Sequence, residues 1–207
     1  MNPKSLRIIE KVSHLYQRYG IKSVTMDDVA GHLCISKKTL YEYFKDKEEL
    51  VRHVMLRQYE KHNQYLREIA KMKLNAVEEL LEVCKMIHIM YRDYNPSMEY
   101  DIRKYYPDLF SSIKMTWRER MFKAAFNNMN KGKKEGLYRK EIDSDILARM
   151  HVFRMEKMFE SDLFTMEELS SFRVFHELFV FHLYGILSDK GRKFFEMNFK
   201  KFRSDLA

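Results

Sequence analysis

Ile8, Ile9, Val12, Leu15, Tyr16 and Tyr19 recur every three or four residues, the period of one helix face. Asn2-Pro3 ahead of them supplies a cap and a proline at the first helical position. Gly20 and Ile21 supply the glycine and following apolar residue that close many helices. A first helix is therefore predicted to end at Tyr19. Three more helix starts fall within the next thirty positions. Thr25 with Asp28 is spaced as a capping box, and Val24 with Val29 as a hydrophobic staple. Ser36 is a cap candidate with Ile35 and Leu40 at staple spacing, and Asp46 with Glu49 repeats the box. These signals predict a second helix from Thr25 to Leu33, a third from Ser36 to Phe44, and a long fourth from Lys47 to about Ala70.

Beyond a basic break at residues 71–74, Asn75 with Glu78 opens a fifth helix reaching about Tyr94. Asn95-Pro96 starts a sixth that ends near Tyr106. Pro107 starts a seventh, punctuated by Gly132 and Gly136. An eighth is predicted over 144–160, a ninth from Glu167 to Ser188, and a last one opened by Gly191, with Phe195, Phe199 and Phe202 on one side. Strand signals are poor: there is no alternating Val/Ile/Thr run and no Asn-Gly hairpin. The expected fold is all-α, with about nine to ten helices. Residues 1–47 form a three-helix helix-turn-helix domain, residues 48–207 a helical bundle, and the fourth helix, about 47–70, joins them without Pro or Gly.

Two short helices joined by a tight turn make a helix-turn-helix. In the third helix Leu40 and Phe44 lie four apart and point into a small core, while Lys37, Lys38, Tyr41 and Lys45 lie mostly on other faces. Lysines in a first helical turn oppose the helix dipole, at a cost of a few tenths to about one kcal/mol each. Helix stability does not explain them, whereas a docking polyanion does. Charge agrees: residues 1–73 carry 15 basic and 9 acidic side chains, residues 74–207 carry 23 and 21.

The run Thr25-Met26-Asp27-Asp28-Val29-Ala30, followed by Ile35-Ser36-Lys37-Lys38-Thr39-Leu40-Tyr41-Glu42-Tyr43-Phe44-Lys45-Asp46-Lys47, resembles the DNA-binding domain of the tetracycline-repressor (TetR) family over roughly residues 4 to 60. Carried over by position, the resemblance implies that Thr25, Ser36, Lys37, Lys38, Thr39, Tyr41, Tyr43 and Lys47 face double-stranded DNA. Tyr43 stands where many members have His, and Cys34 where many have Gly in the turn. If that turn needs a positive φ, Cys costs about 1 kcal/mol there. Gly136-Leu137-Tyr138-Arg139 and Ile142-Asp143 resemble the effector domains of some members, a weaker likeness.

The ninth predicted helix is apolar nearly all round, which asks for burial on both sides. The family resemblance implies dimerisation through the last two long helices, and Phe172, Phe175, Phe179, Phe181 and Leu183 are the expected interface. A twofold dimer also supplies the second recognition helix that a palindromic operator needs. Fifteen Met, fifteen Phe and a nearly neutral C-terminal part suggest an apolar small-molecule effector. Tyr91, Tyr94, Met98, Trp117 and Met121 are the expected pocket residues.

No phosphate-cradling glycine loop, Gly-x-Ser-x-Gly elbow or His-x-x-x-His pair is present. No catalytic residue, metal ligand or cofactor is expected. Cys34 and Cys84 are too few for a disulfide framework. No apolar run reaches 18 residues, so no membrane partner is expected, and an early charged N-terminus predicts a cytoplasmic protein. The expected function is a homodimeric transcriptional regulator, a repressor released from its operator by an apolar effector. The alternative is a ligand-independent DNA-binding protein whose second domain only dimerises.

Overall fold

The computed structural model describes residues 2–92, 95–160 and 163–206, and among them every regular element is a helix. The first is α1 (Pro3–Tyr19), where the Asn2 side chain accepts from the Lys4 amide and Gly20 closes the other end at φ 79°. Then come α2 (Met26–Leu33), α3 (Lys37–Tyr43) and α4 (Lys47–Lys71). These follow the predicted caps to within a residue, because each cap is a local hydrogen bond whose partners lie two or three positions apart. They are followed by α5 (Ala76–Arg92), α6 (Pro96–Tyr105), α7 (Pro107–Glu135) and α8 (Ser144–Glu160).

The ninth predicted helix is two. Ser171, at ψ 142°, ends α9 (Met166–Ser170), and its side chain accepts from the Val174 amide to open α10 (Phe172–Ile186). Gly191 opens nothing: α11 (Asp189–Leu206) already contains it, and the Ser188 hydroxyl oxygen accepts from its amide at 3.1 Å. Gly191 is needed for close approach instead, since a Cβ there would collide with the Leu137 carbonyl. The described helices thus number eleven, not nine or ten.

Two compact units result, and their division is not at residue 47. The first comprises residues 1–64 and 95–116, the second residues 65–94 and 117–207. In the first, Ile9, Val12, Tyr16, Val29, Leu40, Phe44, Leu50 and Val54 make one core with Met98, Ile102 and Leu109 of α6 and α7. Helix α6 therefore completes the N-terminal unit, which the sequence reading had confined to three helices and a linker.

In the second unit Tyr138 is the keystone. It is fully buried, and its hydroxyl donates to the Ala76 carbonyl at 3.0 Å or to Asn128 Oδ1 at 2.9 Å. Its ring lies where a Cβ on Gly132 would sit. The Arg139 amide donates to the Ile186 carbonyl at 2.9 Å and the Ser188 amide to the Leu137 carbonyl at 3.0 Å, so the segment after α7 is tied to the end of α10. No described helix is long and apolar enough to cross a membrane.

Candidate nucleic-acid interface

Thr25 and Asp28 close the start of α2 reciprocally. The Thr25 hydroxyl oxygen accepts from the Asp28 amide at 3.1 Å. The Asp28 carboxylate accepts from the Thr25 hydroxyl at 2.6 Å and from its amide at 2.8 Å. Those two bonds, the hydroxyl's foremost, hold the Asp28 carboxyl below the usual carboxylate range.

Helix α2 ends on Cys34 in the left-handed region, φ 54° and ψ 41°. The Cys34 amide donates to the Gly31 carbonyl and the Ile35 amide to the Ala30 carbonyl, both at 3.1 Å. The second bond is the long one that marks a Schellman ending. The chain has then reversed, and Ser36 caps α3 by accepting from the Thr39 amide at 3.0 Å.

Leu40 and Phe44 are buried to within 1% and fasten α3 to the core. The opposite side of α3 is left to solvent. Ser36, Lys37, Lys38 and Tyr41 are exposed there, and Thr39 is half-buried. Lys38 forms no ion pair with any described residue. Lys37 differs from the expectation that both lysines lack an internal partner. Its Nζ lies 2.8 and 3.0 Å from the two carboxylate oxygens of Asp27, which raises its pKa and braces α3 against the first turn of α2. The uncompensated charge of the first turn is therefore Lys38.

Tyr43 is half-buried against the core, with only part of its ring available outside. Lys47, the first residue of α4, donates to the Lys22 carbonyl at 3.2 Å. Partial burial lowers its pKa, and the nearby carboxylates of Asp101 and Asp28 oppose that shift. The eight residues carried over from the resemblance thus sit at the starts of α2 and α4 and along α3, but Thr25, Ser36, Thr39, Lys37 and Lys47 are bonded within the unit.

Residues 8–54, which include all eight, match the family model for bacterial regulatory proteins of the tetR family. That match to the tetR family spans 47 of the 207 residues. A transcriptional regulator from Cytophaga hutchinsonii has TM-score 0.74 against this chain at 19% identity, covering 90% of it and 100% of the other. The ketosteroid transcriptional regulator KstR2 of Mycobacterium tuberculosis has TM-score 0.60 at 18% identity, over 91% and 97%. AibR, solved in complex with isovaleryl coenzyme A and operator DNA, has TM-score 0.55 at 14% identity, over 80% and 93%. At such identities the likeness is one of fold. No curated protein matches the chain significantly.

The second unit contains a cavity of about 180 Å³. Leu66, Ile69, Leu80, Val83, Met121 and Ile186 line it together with Ala70, Ala124 and Ala125. Glu79, Asn127, Asn128, His151 and His182 supply its polar groups. Of the residues expected to line a pocket, Met121 does so. Trp117 packs half-buried on the unit's core, and Met98 belongs to the core of the first unit. The Tyr91 side chain and Tyr94 lie outside the described residues.

The two histidines were not foreseen. Their rings are 5.4 Å apart, and the Arg154 guanidinium lies 3.3 Å from His151 Nδ1. Burial, and then the Arg154 charge, pushes the His151 pKa down to about 4. Burial, then His151 and Arg154, pushes His182 down to about 3. Both rings are neutral at pH 7 and present the cavity with hydrogen-bonding groups that carry no charge.

Of the expected interface residues, Phe181 is 81% exposed. Phe179 and Leu183 are buried in the unit's own core, because α10 spends that face on packing within the chain. The Phe172 and Phe175 side chains lie outside the described residues. Ile146, Met150 and Phe153, spaced four and three apart along α8, are each more than half exposed and add an apolar stripe that the sequence reading did not single out.

Proposed function

We propose that the chain is a homodimeric transcriptional repressor that binds a palindromic operator through α3 and is released by a small, largely apolar effector. The observation that carries the reading is the exposed Lys38 and Tyr41 on a helix fastened from behind by Leu40 and Phe44. That leaves a rigid face with an unpaired cation for the major groove. The dimer is supported by Phe181 on α10 and the stripe Ile146, Met150 and Phe153 on α8, an apolar surface that a monomer would leave in water. The neighbour solved with both a ligand and operator DNA is consistent with one chain serving both.

The cavity favours the effector reading over ligand-independent binding. Its 180 Å³ is close to the roughly 150 Å³ that holds benzene in an engineered apolar site. Helix α4 offers the coupling. It begins at Lys47 and runs without Pro or Gly to Leu66, Ile69 and Ala70 in the cavity wall. A coupling of about 1–3 kcal/mol would lower operator affinity 5- to 150-fold.

The test begins with selection of bound duplexes from a random pool. A palindromic site is expected, bound with strong salt dependence. Lys38→Ala should weaken the complex while leaving the melting curve unchanged, and benzene-sized apolar molecules should raise the melting temperature and weaken DNA binding together. A wild-type chain that selects no DNA would refute the reading. Selected DNA with no response to such molecules would return the chain to the ligand-independent alternative.

A further inference from the structure

Helix α6 carries a basic cluster that the helix-turn-helix does not account for. Lys22, in the turn between α1 and α2, places its Nζ 2.6 Å from the Tyr105 hydroxyl and 4.6 Å from the centre of that ring. Lys104 places its Nζ 5.5 Å from the same ring centre and donates to the Tyr100 hydroxyl at 2.9 Å. Both lysines are exposed, and neither forms an ion pair with a described carboxylate. Asp101, also on α6, accepts from the Lys22 amide at 2.8 Å.

Two ammonium groups drawn to one tyrosine repel each other, and only neutral groups, the ring face and the Tyr105 and Tyr100 hydroxyls, gather them. An anion of their own size would relieve that repulsion. The cluster is also continuous with the face already described. Lys47 donates to the Lys22 carbonyl, Asp28 lies within the field of Lys47, and Asp27, next in sequence, holds Lys37 of α3. Compact ammonium groups and tyrosine hydroxyls are what backbone phosphates accept from, and neither needs a base sequence.

Resting on the reading of α3 as the DNA-binding helix, we propose that Lys22 and Lys104, gathered on Tyr105, form a second phosphate contact through which α6 joins the DNA interface. Such a contact adds affinity without specificity. It also places α6 among the elements whose position decides how tightly DNA is held.

The experiment measures affinity of the full chain for its selected operator at several salt concentrations. Two lost phosphate contacts should make the slope of log affinity against log salt shallower by about 1.8. The advantage of the wild type over a Lys22→Ala, Lys104→Ala variant should therefore shrink about twelvefold between 50 and 200 mM salt. Base preference should be unchanged, as should the melting temperature, since both side chains are exposed. Lys22→Arg with Lys104→Arg should keep the wild-type slope. An unaltered slope in the alanine variant, with Lys38→Ala still weakening binding, overturns the proposal, leaves the helix-turn-helix reading intact and gives the cluster to an acidic protein partner. Absence of DNA binding by the wild type overturns both.

Discussion

Cys34 is the one described residue other than glycine with a positive φ, and replacing it by glycine gives a signed expectation. An L-residue in the left-handed region costs about 1–2 kcal/mol relative to glycine, because its Cβ crowds the neighbouring carbonyl. Glycine gives back about 0.4–1 kcal/mol through the extra freedom of the unfolded chain. The Cys34 side chain is exposed, so little packing is lost on its removal. Cys34→Gly should therefore stabilise the protein by about 0.5–1 kcal/mol, raising the melting temperature by about 1–4 °C. Cys34→Ala is the control: it removes the thiol but keeps a Cβ at φ 54°, and should lie within about 0.5 kcal/mol of the wild type. The assay is urea unfolding in reducing buffer, with operator affinity measured alongside. Because the turn keeps its two hydrogen bonds to Gly31 and Ala30, affinity should not change. Equal stability of the glycine and alanine variants would mean that the turn carries no left-handed strain, and the account of how α2 hands over to α3 would fail.

Two further outcomes concern the second unit. His151 and His182 have folded pKa values depressed below the ordinary 6.5, so their contribution is whole above that pH and is lost as pH falls, when the unfolded chain takes up protons that the folded one refuses. By pH 5 the loss is about 2 kcal/mol for each histidine; urea midpoints between pH 7.5 and 5 should show it, Gln at both positions should flatten the curve, and a flat wild-type curve would contradict their burial. Phe181→Asp puts a charge in the exposed apolar face of α10 and should convert a dimer to a monomer at micromolar concentration by light scattering, whereas a monomeric wild type would refute the proposed assembly.

How far the fold could be read from the sequence follows from the range of the interactions that set it. Asn2, Thr25, Ser36 and Gly20 act through bonds to residues a few positions away, and all four stand where spacing put them. Ser171 is equally local, yet it was hidden. Apolar residues continue at helical spacing on both sides of it, so the periodicity bridges the break, and serine is tolerated inside helices as well as at their ends. Gly191 misled in the opposite direction. Its flexibility marks helix ends in general, but here its lack of a side chain is used against the Leu137 carbonyl, 54 positions away in sequence and invisible to any local rule.

The candidate sites divide in the same way. Opposition to the helix dipole is a statement about α3 alone, and it holds for Lys38; for Lys37 it is answered by Asp27 of the preceding helix, a partner that only folding brings to 2.8 Å. The cavity was sought among Trp117, Met98 and other large apolar side chains, the residue types that fill cores. Space remains where side chains are too small to fill it, as at Ala70, Ala124 and Ala125, and where polar groups that cannot pack against one another converge. His151 and His182 stand 31 positions apart on separate helices, and neither has any distinguishing spacing. Small side chains such as Ala70, Ala124 and Ala125 are therefore a better guide to a cavity in such a bundle than an aromatic or methionine stripe. The Ala124-Ala125-Phe126-Asn127-Asn128 stretch, with small and amide side chains together in mid-helix, is where that rule would have pointed.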